Sequence, residues 1–142
     1  HAKRFFNLML EGLQGETPAA VEVHAAYPVA RAATLENLKA AAAGENEEWT
    51  KLYPAFAETA TREGFPEVAA AFRAIGRAEE AHEKRYSKLV ANLEAGVVFR
   101  KNDRIFWKCR NCGYIHEGPA APQKCPACLQ PQGYFEVFVE NY

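Results

Sequence analysis

Apolar residues recur every three or four positions in the stretch that follows Pro66, which predicts a long amphipathic helix ending before Gly96. Pro66 itself suits the first turn of a helix, because its missing N–H is not needed there. The repeating face contains one carboxylate and one imidazole among apolar side chains. Its eight positions are Val68, Phe72, Ile75, Glu79, His82, Tyr86, Leu89 and Leu93. We therefore expect Glu79 and His82 to face the core of a helix bundle.

An earlier helix is predicted from Thr34, as its N-cap, to about Glu63, with Gly64 ending it. Pro54 lies inside this helix and predicts a kink. The face of the helix that shares the repeat also contains carboxylates, and its positions are Leu38, Ala41, Glu45, Glu48, Leu52, Ala55 and Thr59. Glu45 and Glu48 are therefore predicted to point toward the same core.

The first eleven residues indicate the end of another helix, closed by Gly12 and Gly15. His1, Phe5 and Leu8 share one face of it. A long connection is predicted over residues 12–33. No N-cap precedes the first helix, so we expect that the chain starts inside a helix and that upstream sequence is absent or was cleaved.

Carboxylates in an apolar seam need a compensating charge, since burying an ionised carboxylate alone costs several kcal/mol. No Lys or Arg occupies the predicted core face, and a metal cation is the simplest partner. Pairs spaced i, i+3, such as Glu79 with His82, place both ligands on one helix face. Oxygen-rich ligation with imidazole suits iron or manganese better than structural zinc. Two alternatives stay open: solvated charges on helices of misjudged register, and a His–Glu hydrogen bond without metal.

The four cysteines form two Cys-x-x-Cys pairs, Cys109/Cys112 and Cys125/Cys128, a pattern typical of a four-thiolate metal site in a reducing compartment. The spacing alone does not separate zinc from iron, and a structural zinc ribbon is the alternative. Nearby aromatic residues favour iron, because an apolar shell tunes an iron–thiolate centre. These residues are Trp107, Tyr114 and Phe135.

The composition changes near Gly96, where alanine gives way to aromatic residues, cysteine and glycine. We predict a helical domain at 1–96, a linker at 97–104 and a small β domain at 105–142. The charge is balanced, with 17 Lys and Arg against 18 Asp and Glu. That balance argues against a nucleic-acid binder and a membrane-surface protein. No apolar run approaches the roughly 20 residues of a membrane helix, and no signal peptide is recognisable.

At this point the sequence resembles the rubrerythrin family over essentially the whole chain. The segments that carry the resemblance are HAKRFF, AAGENEEWTKLYPAFAETATREGF, FRAIGRAEEAHEKRY and WKCRNCGYIHEG followed by APQKCPAC. The resemblance implies a mainly α fold: a ferritin-like four-helix bundle, of which the first helix and part of the second are absent from this chain, plus a small β rubredoxin-like domain.

The resemblance also implies the roles of individual residues. The implied diiron ligands are Glu45, Glu48, Glu79 and His82, with His1 as an alternate to Glu48. Tyr53 resembles a tyrosine that hydrogen-bonds near the iron carboxylates and belongs to the implied catalytic set. The implied ligands of a mononuclear iron are Cys109, Cys112, Cys125 and Cys128, with zinc possible in either site. Leu129 stands where a simple rubredoxin has Gly, so that amide–sulfur turn is a candidate for a different geometry.

The activity implied is that of a cytoplasmic diiron peroxidase in oxidative stress defence, which reduces hydrogen peroxide to water. Electrons would pass through the tetrathiolate iron from a rubredoxin or an NAD(P)H-dependent reductase. A homodimer is implied, and another polypeptide is a possible source of the missing helices. The alternatives are a ferritin-like iron-storage or redox-sensing protein without peroxidase turnover, and a zinc-ribbon interaction module on a helical scaffold.

Overall fold

Four α-helices lie in the part of the chain described by the computed structural model, which covers residues 1–16, 22, 24–25 and 31–141. The chain divides into two compact units, His1–Lys88 and Leu89–Tyr142. The first unit is helical and the second contains a three-stranded sheet. Much of the connection predicted over 12–33 lies outside the described residues. Among the helices described, none is long and apolar enough to cross a membrane.

Helix α1 (Ala2–Gly12) presents to the core the face that the sequence predicts. Leu8 is buried, and the Phe5 ring lies 4.8 Å from the ring of Phe72, measured between centroids. The helix ends where Gln14 and Gly15 adopt left-handed backbone angles, with φ of 47° and 93°. The contact between Phe5 and Phe72 places His1 beside the remaining helices of the unit.

Helix α2 (Thr34–Glu47) starts one residue differently from the prediction. Thr34 is its first helical residue and not its N-cap, because Ala33 is the last residue with extended backbone. The reason is the side chain of Asn37. It accepts a hydrogen bond from the Ala32 amide at 3.1 Å and donates one to the Ala32 carbonyl at 2.8 Å. This exchange supports the chain before the first turn without a hydroxyl cap.

The helical run continues through a π-helical segment, Glu48–Leu52, into helix α3 (Tyr53–Arg62). Pro54 has no N–H for an i→i−4 bond to Thr50, and the wider π turn just before it accommodates that loss. The prolonged turn adds a residue and shifts the face that follows. Leu52, the last residue of that segment, is 40% exposed, against the prediction, and Ala55 is also exposed. Ala57 and Ala60 are buried instead.

Helix α4 (Pro66–Glu94) begins at the predicted proline. Its buried residues are Ala69, Ala71, Ile75 and Glu79. The predicted stripe does not stay buried along its whole length, since Leu89 and Leu93 are 41% and 37% exposed. The helical unit ends at Lys88, so these last leucines do not extend its core.

The second unit is an antiparallel sheet with the strand order β2-β1-β3. The strands are β1 (Arg100–Cys109), β2 (Ile115–Ala120) and β3 (Phe135–Val137), the last preceded by a 3₁₀ turn at Gln132–Tyr134. Strand β1 therefore begins inside the range 97–104 that was predicted as a linker. The domain boundaries at 96 and 104 stay predictions.

The core of the second unit is small and includes two of its cysteines. Its buried members are Trp107, Cys109, Ala121, Cys125 and Phe135. Trp107 pairs with His116 on β2 and with Val137 on β3. Its indole N–H donates to the Gly118 carbonyl at 3.0 Å, so the buried ring leaves no unpaired donor.

Candidate metal centres

The carboxylate of Glu79 lies between two imidazoles in the helical unit. The side chain is buried, with 3% of its surface exposed. Its Oε2 is 2.7 Å from Nδ1 of His82, one turn further along α4. Its Oε1 is 2.7 Å from Nδ1 of His1, which α1 brings from the other end of the unit's sequence. Each carboxylate oxygen therefore has its own imidazole partner.

Glu45 reaches the same place from α2. Its Oε2 lies 3.5 Å from Nδ1 of His82. Ligand atoms of Glu45, Glu79 and His82 all lie within 4.8 Å of one another, a spacing that a single metal ion can span. Burial raises the pKa of Glu45, and the negative charge of Glu79 adds to that rise. The negative charge of Glu79 beside Glu45 forms a site that a cation would stabilise.

Glu48 and Tyr53 stand beside this group and not within it. The two are five residues apart, one more than a regular helix turn needs, and the π-helical segment between them places both on one face. The Tyr53 hydroxyl is hydrogen-bonded to Glu48, and its pKa is raised first by burial and then by the charge of Glu48. The phenol therefore stays protonated and donates a hydrogen bond to the Glu48 carboxylate. Pro54 is the signal from which this register shift could have been inferred.

Sequence reasoning missed Glu83, the residue that follows His82. Its carboxylate accepts the indole N–H of Trp49 and, at 3.2 Å to each oxygen, the side-chain amide of Asn46. The spacing of Asn46 and Trp49, i and i+3, repeats that of Glu45 and Glu48 with an offset of one residue. That doubled spacing was the signal available in the sequence.

The chemistry of the helical donor set fits a hard metal ion. The donors are carboxylate oxygens and imidazole nitrogens, a set that suits iron or manganese. Glu79 can hold two ions through its separate oxygens, with one imidazole on each side. His1 and His82 are 40% and 48% exposed at the side chain, so the cluster is open to solvent on the imidazole side.

The second cluster is formed by the four cysteines, all of which the structure describes and none of which is in a disulfide. The Sγ atoms of Cys109 and Cys128 are 3.7 Å apart, and so are those of Cys112 and Cys125. A tetrahedral site with metal–sulfur bonds of about 2.3 Å has sulfur–sulfur edges of about 3.8 Å. All four sulfurs lie within 4.8 Å of one another, so the cage fits one tetrahedral ion.

Each cysteine loop folds in the same way around its sulfurs. In the first loop, the Cys109 amide donates to the Tyr114 carbonyl at 2.8 Å, and the Gly113 amide donates back to the Cys109 carbonyl at 2.8 Å. In the second, the Cys125 amide donates to a carbonyl five residues on at 2.8 Å, and the Leu129 amide donates back at 2.9 Å. The loops are thus related position by position.

Leu129 adopts a left-handed conformation with φ of 63°, close to the 81° of Gly113. The different turn considered for this position is therefore not found. The amide two residues after the second cysteine is directed at its sulfur in both loops. In the second loop this donation from Gln130 is the largest of several hydrogen bonds that lower the pKa of Cys128 to about 6, which favours the thiolate that a metal needs. In the first loop, despite the Tyr114 amide, hydrogen bonds to the neighbouring thiols, with Cys128 the strongest, raise the pKa of Cys112 to about 12.

The aromatic shell predicted for the sulfur cage is divided between core and surface. Trp107 and Phe135 are buried, whereas Tyr114 is 36% exposed. Cys109 and Cys125 are fully buried and Cys112 is exposed. One side of the cage is therefore apolar and the other reaches the surface.

Two family models match the chain, one on each unit. The model described as "Rubrerythrin" matches residues 1–90, and the one described as "Rubrerythrin, rubredoxin-like domain" matches residues 107–136. The chain is 59% identical to a rubrerythrin of Clostridium perfringens (strain 13 / Type A), over 100% of this chain and 72% of that protein. It is 52% identical to a rubrerythrin of Porphyromonas gingivalis (strain ATCC BAA-308 / W83), over 100% and 68%.

A solved structure of nigerythrin in a partially reduced state also matches. It is 31% identical in sequence, with a TM-score of 0.49. The match covers 94% of this chain and 60% of that one.

Proposed function

This chain belongs to the rubrerythrin family, and we propose that it acts as a peroxidase that reduces hydrogen peroxide to water. The balanced reaction takes one peroxide, two electrons and two protons to two water molecules. The chain spans 72% of the length of its Clostridium perfringens relative.

The proposed ligands of a diiron centre are the helical cluster and its neighbours: His1, Glu45, Glu48, Glu79 and His82. Glu79 is the proposed bridge, since its two oxygens have separate imidazole partners at 2.7 Å. That arrangement is the single observation that carries the proposal. The burial of this carboxylate, 3% exposed, and the imidazole beside each of its oxygens support that proposed role.

When bound, the paired irons would supply the two electrons that break the O–O bond, and the tetrathiolate iron would replace them one at a time. Tyr53 holds the Glu48 carboxylate through a phenol that keeps its proton. The amide of Gln130 stabilises the Cys128 thiolate, one of the four proposed sulfur ligands, with Cys109, Cys112 and Cys125. Fixed amide donors stabilise sulfur charge with little rearrangement, which suits electron transfer.

The sulfur cage favours turnover over iron storage. A storage protein has no need of an electron-transfer site, whereas a peroxidase must be re-reduced after each cycle. The proposed donor is a rubredoxin or an NAD(P)H-dependent reductase. A homodimer, a cytoplasmic location and completion of the bundle by another polypeptide are parts of the same proposal and rest on the family resemblance.

The test compares Glu79→Gln with Glu80→Gln in the iron-loaded protein, using peroxide consumption with a chemical reductant. Glu80 is adjacent in sequence but forms an ion pair with Lys84 at 2.7 Å instead of joining the cluster. We expect Glu79→Gln to lose turnover by at least about a hundredfold, since metal-ligand loss removes the reacting centre. The red ferric four-sulfur spectrum should survive in both variants. Undiminished turnover in Glu79→Gln would contradict the proposal.

A further inference from the structure

Glu83 connects the two helices that carry the acidic cluster of Glu45, Glu79 and His82, although it is not part of that cluster. It sits on α4 next to His82, and its carboxylate accepts hydrogen bonds from Trp49 and Asn46. Trp49 is adjacent to Glu48, and Asn46 is adjacent to Glu45. Every residue of this contact is therefore one position away from a residue of the proposed metal site.

The offset of one residue has a geometric consequence. Successive side chains on an α-helix are separated by about 100° around the axis. Glu45 on α2 is turned toward Glu79 and His82. Asn46 and Trp49, on the neighbouring face of the same continuous helical run, are bonded to Glu83. A rotation of α2 that moved Glu45 away from His82 would therefore break the bonds to Glu83.

Within the described residues, helix α2 has few other contacts that determine its rotation. None of the residues of α2 or of the π-helical segment, all of which the structure describes, is buried. Apolar packing usually sets the orientation of a helix, and here it is weak. The π-helical segment also lacks the regular hydrogen-bond register just where Glu48 and Trp49 lie. The part-buried bonds to Glu83 supply the missing constraint.

We propose that Glu83 is a positioning residue which, through Trp49 and Asn46, holds Glu45 and Glu48 opposite Glu79 and His82 for metal binding. This inference rests on the metal site of the proposed function but does not depend on peroxide turnover. Glu83 itself contacts no metal in this account. Its effect is transmitted by the rotation of α2.

The test measures ferrous iron affinity at the helical cluster, with ⁵⁷Fe Mössbauer spectra separating oxygen-ligated from sulfur-ligated iron in the full chain. Trp49→Phe removes the indole donor and keeps an aromatic ring, and Glu83→Ala removes the acceptor. We expect each to weaken iron binding at the cluster about tenfold and to broaden its quadrupole doublet, as for other groups that support ligands from outside the site. The sulfur-ligated signal should not change.

Two controls separate positioning from general loss of stability. Thr61→Val removes a hydroxyl that bonds the Ala57 carbonyl at 2.8 Å and Arg73 at 3.0 Å, away from the cluster. It should lower the thermal midpoint without changing iron affinity. Glu83→Gln keeps an acceptor oxygen for Trp49 and should recover most of the affinity lost in Glu83→Ala. If Glu83→Ala does not fold, Trp49→Phe decides the test.

The inference is wrong if Trp49→Phe and Glu83→Ala bind iron as the unaltered chain does, or if Thr61→Val weakens binding equally. Glu79→Gln distinguishes this failure from failure of the proposed function. When Glu79→Gln alone loses oxygen-ligated iron, the metal site stands and the positioning role falls. When the unaltered chain binds no oxygen-ligated iron, both are wrong.

Discussion

The sulfur cage and the acidic cluster are built in opposite ways. All four sulfurs come from two short loops between residues 109 and 128, and each loop fixes its own turn by backbone hydrogen bonds. The acidic cluster draws its groups from three helical segments: His1 at the start of α1, Glu45 on α2, and Glu79 and His82 on α4. Local hydrogen bonds determine the first site, whereas the second depends on how helices are rotated against each other. The cage should therefore tolerate distant changes that the cluster does not.

The largest effect is expected from Cys125→Ser in the sulfur cage. Cys125 is fully buried in a small core, and loss of the metal removes much of the folding energy of that unit. We expect a loss of about 4 kcal/mol or more in the stability of the second unit. Denaturant unfolding followed by tryptophan fluorescence measures it, with Val139→Ser, at a position 68% exposed, as the control. The prediction would be contradicted if Cys125→Ser bound no metal and still unfolded at the same denaturant midpoint as the parent.

The next effect concerns pH and the acidic cluster. The pKa of Glu45 is raised in the folded protein by burial and by Glu79, so the folded state holds this proton more tightly than the unfolded one. This contribution to the stability of the metal-free protein should therefore be largest below pH 4.5, the ordinary pKa of a glutamate. The free energy of unfolding should then fall as pH rises through the raised pKa of Glu45. Glu45→Gln should remove that fall and make the metal-free protein more stable at neutral pH.

Thermal unfolding across pH 4 to 8, roughly the range that brackets a raised carboxyl pKa, measures the effect of Glu45→Gln. With iron bound, the parent should be the more stable of the two proteins, because its Glu45 carboxylate can bind the metal and the glutamine of the variant binds it poorly. The Glu80→Gln variant should show the same pH dependence as the parent, both without and with iron. If the stability of the metal-free parent rises over this pH range, the surroundings of Glu45 do not disfavour its ionised form.

A smaller effect is expected from Tyr53→Phe. The variant loses the hydrogen bond to Glu48 and keeps the ring that lies 5.7 Å from Phe72. The cost should be about 1 kcal/mol, with iron binding at the cluster weakened severalfold and the sulfur site unchanged. Calorimetry together with iron titration tests this, and an effect on the sulfur-ligated iron would argue against it.

The smallest effects compare the two cysteine loops directly. Gly113→Ala places a side chain at φ of 81° and should cost about 1 kcal/mol, although nothing lies within 4 Å of the added carbon. Leu129→Gly relieves a similar conformation at an exposed position and should gain up to about 1 kcal/mol. Opposite signs in denaturant unfolding would establish that the loops are equivalent. Equal signs would show that the leucine side chain contributes packing of its own.

The two regions also differ in how far the sequence predicts them. The spacing of the cysteines was sufficient for the cage, because its geometry is local. The i, i+3 spacing of Glu79 and His82 placed them on one face, and the structure brings Glu45 to them. Their roles as ligands stay predictions.

Helix register is where the sequence analysis was less successful. A constant helical period predicted Leu52 as a core residue, whereas the π-helical segment before Pro54 interrupts that period. Thr34 was misplaced by one position, because the Asn37 side chain supports the helix start. Glu83 was missed since its partners lie on another helix. Such contacts between helices are not visible in the spacing of a single helix.

Anomalous diffraction at the iron absorption edge, from crystals of the iron-loaded protein, shows directly whether iron occupies both clusters. We expect iron in the cysteine cage and iron within bonding distance of both Glu79 oxygens, beside His1 and His82. Iron found only at the cysteines, with Glu79 still paired to both imidazoles, would contradict this expectation.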